Sequence, residues 1–171
     1  MKIEKVVVGN LLENTYILSK DNKVLVIDPG DEIDKINGVI GSKEVVGVLV
    51  THNHFDHIGA LSSFDKDIIY SFSNLEEKSY DIQGFSFDVI YNPGHSDDSI
   101  SFYFKEDNIL FCGDFIFKGS IGRCDLATGD FSKMKNSIEM IKKYPIDMVI
   151  YPGHGDSTTL GYEISNNIYF N

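Results

Sequence analysis

Four apolar, β-rich runs in this chain each end on a turn that carries metal-ligating side chains. "VVGVLV" leads into "THNHFDH", "FDVIYNPG" into His95, "NILFCG" into Asp114 and "DMVIYPG" into His154. This recurrence constrains the fold more than any other feature, because side chains at the ends of rigid strands can meet at one edge of a sheet. All five histidines of the 171 residues, His52, His54, His57, His95 and His154, sit in these turns.

The remaining pattern is read around those runs. Strands are expected near "IEKVVVG", "TYILS", "KVLVID", "EVVGVLVT", "DIIYS", "FSFDVIYN", "SISFYF", "NILFC" and "DMVIYP", each bounded by Gly, Asn, Asp or Pro. The clearest helix follows Asp130 as N-cap, where Phe131, Met134, Ile138, Ile141 and Tyr144 recur at helical spacing before Pro145 blocks extension. Weaker helices are expected at 31–39, 57–63 and 160–167. Strands interleaved with a few helices imply a layered α/β or α+β domain rather than an all-β barrel. A chain of this length suits one domain, 1–171, with no linker, repeat or low-complexity tract to divide it.

Charge and cysteine usage narrow the function. Fifteen Lys and Arg against 26 Asp and Glu give a formal charge of −11, which repels polyanions, so nucleic acid is not an expected partner. The N-terminal "MKIEKVVVGNLLENTY" has neither a signal-peptide h-region nor a membrane span, so a cytoplasmic protein without a membrane partner is expected. Cys112 and Cys124 are expected to be reduced thiols, the first a small buried apolar residue. Composition leaves the oligomeric state open.

An isolated histidine is more often a structural residue than a ligand, but "HNHFDH" places three within six positions with an aspartate among them. In an extended segment His52, His54 and Asp56 project to one side while His57 points elsewhere, so one segment can serve two neighbouring metals. Neutral imidazoles and carboxylates suit zinc, with iron or manganese as alternatives. Seven such groups, His52, His54, Asp56, His57, His95, Asp114 and His154, exceed what one tetrahedral ion takes. Two divalent ions sharing a carboxylate would use them all.

With "THNHFDH", "PGHS" at 93–96, "GD" at 113–114 and "PGHG" at 152–155, the chain resembles the metallo-β-lactamase superfamily over nearly its whole length. "CGDFIFKGSIGRCDLATGD" and "YPGHGDSTTLGYEISNN" are similar to small hydroxyacylglutathione-hydrolase-like, or glyoxalase II-like, proteins without a C-terminal helical domain. The resemblance implies an α+β, four-layer αββα sandwich with a dinuclear site at one sheet edge. It assigns His52, His54 and His95 to the first metal, Asp56, His57 and His154 to the second, and Asp114 to both. It also places Asp28 of "VIDPG" as a support of the ligand loop, although a plain turn role serves as well. Ser96 stands where the family commonly has Thr, "SDDS" where a Gly-containing turn is common, and Cys124 where Thr is usual.

The activity expected is hydrolysis of a small-molecule acyl-thioester, with hydroxide held between two divalent ions as nucleophile. A thiolate leaving group needs little protonation, whereas an amine or alkoxide would draw a proton from water or Asp56. Asp56 and Asp114 are thus the candidate catalytic residues. Tyr91 and Tyr151, each near a "PGH", are candidates to orient substrate, with packing the simpler role. Arg123 is a candidate carboxylate binder that Asp125 could equally pair. The main rival is an iron-dependent persulfide dioxygenase using one metal. Lactone, β-lactam and phosphodiester hydrolysis rank lower.

Overall fold

The computed structural model describes residues 1–171. A first sheet joins β1 (Lys2–Val8), β2 (Glu13–Lys20), β3 (Lys23–Ile27), β4 (Glu44–Leu49) and β5 (Ile69–Tyr70), in that order. A second contains β6 (Ser79–Ile82), β7 (Phe85–Tyr91), β8 (Ile100–Phe104) and β9 (Ile109–Gly113). After a small hairpin of β10 (Ile116–Phe117) and β11 (Ser120–Ile121), this sheet is completed by β12 (Val149–Pro152) and β13 (Thr158–Thr159), in the order β13-β12-β9-β8-β7-β6. Four α-helices accompany them: α1 (Ile33–Ile40), α2 (Phe55–Ile58), α3 (Phe131–Ile141) and α4 (Leu160–Asn166).

The layering follows from period-two alternation on strands buried on both faces. In the first sheet Tyr16, Leu18, Leu25, Ile27 and Leu49 face the second sheet, meeting Phe85, Phe87, Val89, Ile100, Phe102, Phe104 and Phe111. Their neighbours Ile17, Val24, Val26 and Val48 face outward onto Ile36 and Ile40 of α1. On the far side, Ile90, Tyr103, Leu110, Cys112 and Ile150 pack against Met134, Ile138 and Ile141 of α3 and Leu160 of α4. The result is the αββα sandwich. Each fully buried Leu, Ile or Phe stabilises it by about 1.5–3 kcal/mol.

All nine expected strands form, and four more appear that were too short to carry a hydrophobic period: β6, β10, β11 and β13. The helix after Asp130 starts as expected, with the Asp130 carboxylate accepting from the N–H groups of Ser132 (2.8 Å) and Lys133 (3.0 Å). The helix expected over 57–63 is instead the single turn of α2 followed by a 3₁₀ turn at Leu61–Ser63. Both cysteines are free thiols, and burial pushes that of Cys112 up to about 12. No helix is long and apolar enough to cross a membrane.

Strand direction positions the site. β8 is antiparallel to both β7 and β9, and β12 is parallel to β9, so β7, β9 and β12 point the same way and deliver their following turns to one edge. The turn after β4 is stitched to that edge where Ile100 N–H donates to the Thr51 carbonyl at 2.9 Å.

Candidate metal centre

The four turns bring all seven expected ligands into one cluster, arranged as two triads. In the first, His54 Nδ1 lies 3.1 Å from His52 Nε2 and 2.8 Å from His95 Nε2. These are close to the separations of about 3.3 Å expected between nitrogens around one tetrahedral ion. In the second, Asp56 Oδ2 lies 3.3 Å from His154 Nε2 and 3.9 Å from His57 Nε2. Asp114 stands between the triads with its oxygens divided: Oδ2 is 3.6 Å from His95 Nε2, while Oδ1 is 3.3 Å from His57 Nε2 and 3.5 Å from His154 Nε2.

One local expectation is corrected. Asp56 does not continue an extended segment alongside His52 and His54, because α2 begins at Phe55. The helical turn swings Asp56 and His57 together toward His154, which is what separates the second triad from the first.

The outer nitrogens of the rings fix which nitrogen faces inward. His95 Nδ1 donates to the Arg123 carbonyl at 2.8 Å and His154 Nδ1 to the Leu11 carbonyl at 3.1 Å, since a carbonyl can only accept. Asp28 carries the rest. Its carboxylate accepts from Thr51 N–H at 2.7 Å, Thr51 Oγ1 at 2.6 Å and His57 Nδ1 at 2.9 Å. With its hydrogen given to Asp28, Thr51 Oγ1 accepts from His52 Nδ1 at 3.0 Å. Four Nε2 lone pairs therefore converge on the cluster, the arrangement in which outer partners orient metal-binding imidazoles.

Two buried atoms, His57 Nε2 and Asp114 Oδ1, have no hydrogen-bond partner although they face each other. Buried polar atoms are normally satisfied, so a facing pair without partners, in a nitrogen and oxygen donor set, fits a divalent cation. Titration agrees. Burial, then repulsion from His57, holds the His52 imidazolium range well below its ordinary value, and burial followed by His95 does the same to His54. Burial also opposes a proton on His57 and His154, but the carboxylates of Asp114 and Asp28 beside His57, and of Asp56 beside His154, raise both. Asp114 and Asp56 are lowered against the effect of burial, by His57 and His154 respectively. The field that favours protons on the second triad also favours a metal cation there.

Close approach decides how the turns fit. A Cβ on Gly153 would lie 2.4 Å from Asp114 Oδ1 and 2.5 Å from His57 Cε1, and one on Gly113, at φ +51°, would lie 2.3 Å from Thr51 Oγ1. Only glycine admits this packing.

The remaining candidates are placed otherwise. Tyr91 donates to the Leu75 carbonyl at 2.8 Å and packs on Phe72, while Tyr151 stacks on Phe111 with ring centroids 5.1 Å apart. The exposed Arg123 guanidinium forms a two-point pair with Asp125, Nε–Oδ1 2.7 Å and Nη2–Oδ2 2.9 Å, so its side chain is turned from the metal cluster while its carbonyl holds His95.

Sequence reading passed over "ENT" at the start of β2. Asn14 N–H donates to the Gly153 carbonyl at 2.7 Å, and its side-chain amide donates to Pro152 and Gly155 carbonyls at 3.0 and 2.9 Å, holding the His154 turn. Thr15 Oγ1 donates to the Asp28 carbonyl at 2.7 Å and accepts from Gly30 N–H at 3.3 Å. Its one hydrogen being used, the contact of 2.9 Å with Glu13 Oε2 requires a hydrogen from Glu13. Glu13 is buried beneath His57, and that burial pushes its carboxyl up to about 10. A lone Glu before a strand reads as a surface residue, and only its depth reveals otherwise.

This fold and this donor cluster define a candidate metal-binding domain of the αββα class. The metallo-beta-lactamase superfamily matches residues 8–71 and 70–154, and the chain belongs to it. Among curated relatives, a protein described as a probable metallo-hydrolase of Streptococcus pyogenes is 33% identical over 211 residues, covering 99% of this chain and 90% of the relative. The hydroxyacylglutathione hydrolase GloC of Haemophilus influenzae is 29% identical, covering 100% and 99%. Among solved structures, the B3 metallo-beta-lactamase BLEG-1 superposes with a TM-score of 0.91 at 29% identity over 99% of both chains. TTHA1623, solved in a di-iron-bound form, gives 0.87 at 29% identity over 97% and 99%.

Proposed function

We propose that this chain hydrolyses small acyl-thioesters at a pair of divalent metal ions. The observation that carries the reading is the division of Asp114, one carboxylate oxygen toward His95 and the other toward His57 and His154, so that two ligand sets share one residue. His52, His54 and His95 would hold the first ion and Asp56, His57 and His154 the second, zinc being the first choice for this donor set and iron the next. Bound there, divalent ions polarise a carbonyl and lower the pKa of a water from about 15.7 toward about 7, supplying hydroxide at neutral pH.

The chain's own residues set the rest. Asp28, Thr51, Leu11 and Arg123 fix the imidazole orientations through the hydrogen bonds described above, so the ligands need little rearrangement. Four of the five imidazoles have their outer nitrogen committed to a partner, which leaves the cluster poorly supplied with proton donors. A thiolate, with a pKa near 8.5, departs without one, whereas an amine or alkoxide does not. The relationship to GloC, whose name states a thioester hydrolase, supports the same substrate class.

The test is elemental analysis of protein purified without added metal, run with thioester hydrolysis and persulfide-dependent oxygen uptake on one sample. Two metals per chain with thioester turnover is the expected result. One iron per chain with oxygen uptake would overturn it in favour of a dioxygenase.

A further inference from the structure

The turn between β7 and β8 carries more than His95. Its "SDDS", residues 96–99, is a place where the sequence departs from the family's usual pattern, and it puts a carboxylate at Asp98. Asp98 Oδ2 accepts twice from one residue, from Asn53 N–H at 3.1 Å and from the Asn53 side-chain amide at 2.6 Å. Asp98 Oδ1 accepts from Ser96 Oγ at 2.6 Å. With that hydrogen spent, the 2.7 Å contact between the Ser96 and Ser99 hydroxyls is a donation from Ser99, whose oxygen accepts in turn from Ser96 N–H at 3.3 Å. Both hydroxyl hydrogens of the turn are thus committed, and three donors converge on one carboxylate, the stronger kind of hydrogen bond.

The partners of this carboxylate stand next to all three ligands of the first triad. Asn53 lies between His52 and His54, and Ser96 follows His95. Asp98 therefore joins two ligand turns, reaching a partner 45 residues away in the chain. Ile100 N–H on the Thr51 carbonyl ties the end of β4 itself, ahead of the ligands, and beyond it Asp98 supplies the hydrogen bonds between the turns. His54 has the greatest need of them. His52, His57, His95 and His154 each have the outer ring nitrogen committed to a partner, whereas Nε2 of His54 has none. Its ring lines a cleft of about 460 Å³ together with Asn53, Ser96, Asp98 and Leu126. With no outer partner on the ring, the aim of His54 Nδ1 at the metal position is set by the backbone it shares with Asn53.

We infer that Asp98 is a positioning residue for the first metal, holding the His52–His54 segment against His95 so that three ring nitrogens face one ion. The inference rests on the two-metal reading and names the side chain outside the ligand set that supports its first position; it does not depend on the substrate. Asp28 supports the second position by acting on a ring, at His57 Nδ1, whereas Asp98 acts on the chain that carries the rings. Loss of an outer partner of a metal ligand costs about 10- to 100-fold in metal affinity.

The experiment measures zinc affinity by chelator competition in two backgrounds that leave one position each, His154→Ala for the first and His95→Ala for the second. Each is compared with and without Asp98→Ala, Asp98→Asn and Asn53→Ala. The expected result is a Kd at the first position raised about 10- to 100-fold by Asp98→Ala, with the Kd at the second unmoved. Asp98→Asn keeps an acceptor for Asn53, and Asn53→Ala keeps the main-chain donor, so each should lose less than Asp98→Ala. Equal weakening at both positions would mark a general loss of fold, and an unchanged first-position Kd in Asp98→Ala would leave the carboxylate without a part in the site; either overturns the inference and leaves the two-metal reading intact. Should circular dichroism show Asp98→Ala unfolded, Asn53→Ala decides, because it deletes an exposed amide, and an unchanged first-position Kd there overturns the inference equally. Zinc bound in neither background overturns the two-metal reading and the inference together.

Discussion

The two ligand triads are built from similar side chains but held in different ways. His52, His54 and His95 form an all-imidazole set in which burial and mutual repulsion lower His52 and His54. Asp56, His57 and His154 form a mixed set in which carboxylates raise both imidazoles. Behind the first lie a hydroxyl and a main-chain carbonyl, behind the second the buried carboxyl groups of Asp28 and Glu13. The same fold edge thus offers one position that accepts a cation through neutral donors and one that concentrates negative field, and only Asp114 belongs to both.

The largest effect is expected where the difference disappears. Asp114→Ala removes the shared carboxylate, so metal content should fall at both positions and activity should drop by more than the 10- to 100-fold typical of losing an outer partner. Two retained metals with activity intact, measured by elemental analysis and thioester assay, would falsify the bridging assignment.

Next in size, His154→Ala and Asp28→Ala should separate the triads. His154→Ala should take one metal and spare the other. Asp28→Ala, which frees His57 and Thr51, should weaken metal affinity by about 10- to 100-fold, first at the second position. Competition with a chelator followed through cobalt absorption bands distinguishes these outcomes from uniform loss.

Glu13 sharpens the comparison through pH. Its carboxyl is at 4.5 in the unfolded chain and about 10 in the fold. A raised value favours the protonated fold, so its contribution to stability is complete below the unfolded value and is lost as pH rises toward the folded one. Glu13→Gln keeps the shape and a donor for Thr15 while removing that dependence. Chelator-treated Glu13→Gln should be more stable than wild type at pH 8 by about 1–3 kcal/mol, with the difference vanishing near pH 4 in urea denaturation. Equal stabilities at both pH values would show that Glu13 is not held neutral.

The smallest effect is expected at Tyr151, whose ring stacks on Phe111 in the core between the sheets. Tyr151→Phe keeps the ring, so stability should change by less than about 0.5 kcal/mol and kcat/KM by less than twofold. A tenfold loss of kcat/KM at unchanged stability would give its hydroxyl a role in the site.

The sequence alone determined the candidate ligands and the strands that deliver them. "HNHFDH", the two "PGH" turns and "CGD" are local patterns, and a strand buried on both faces, such as "KVLVI", announces itself by an unbroken apolar run. Sequence also located the α3 cap, because an aspartate before a helical period satisfies that helix's own first N–H groups. The resemblance those motifs carry already implied the division into triads, but only the tertiary structure gave its cause, since the helical turn at Phe55 that turns Asp56 away from His54 is four residues long and too short for periodicity to show. The tertiary structure also decided the part played by Glu13, Asn14 and Thr15, whose partners lie at Asp28, Gly30 and the turn at 152–155. A residue's propensity and spacing act within a few positions along the chain, whereas burial and hydrogen-bond partnership here depend on segments brought together from 13 to 141 residues apart.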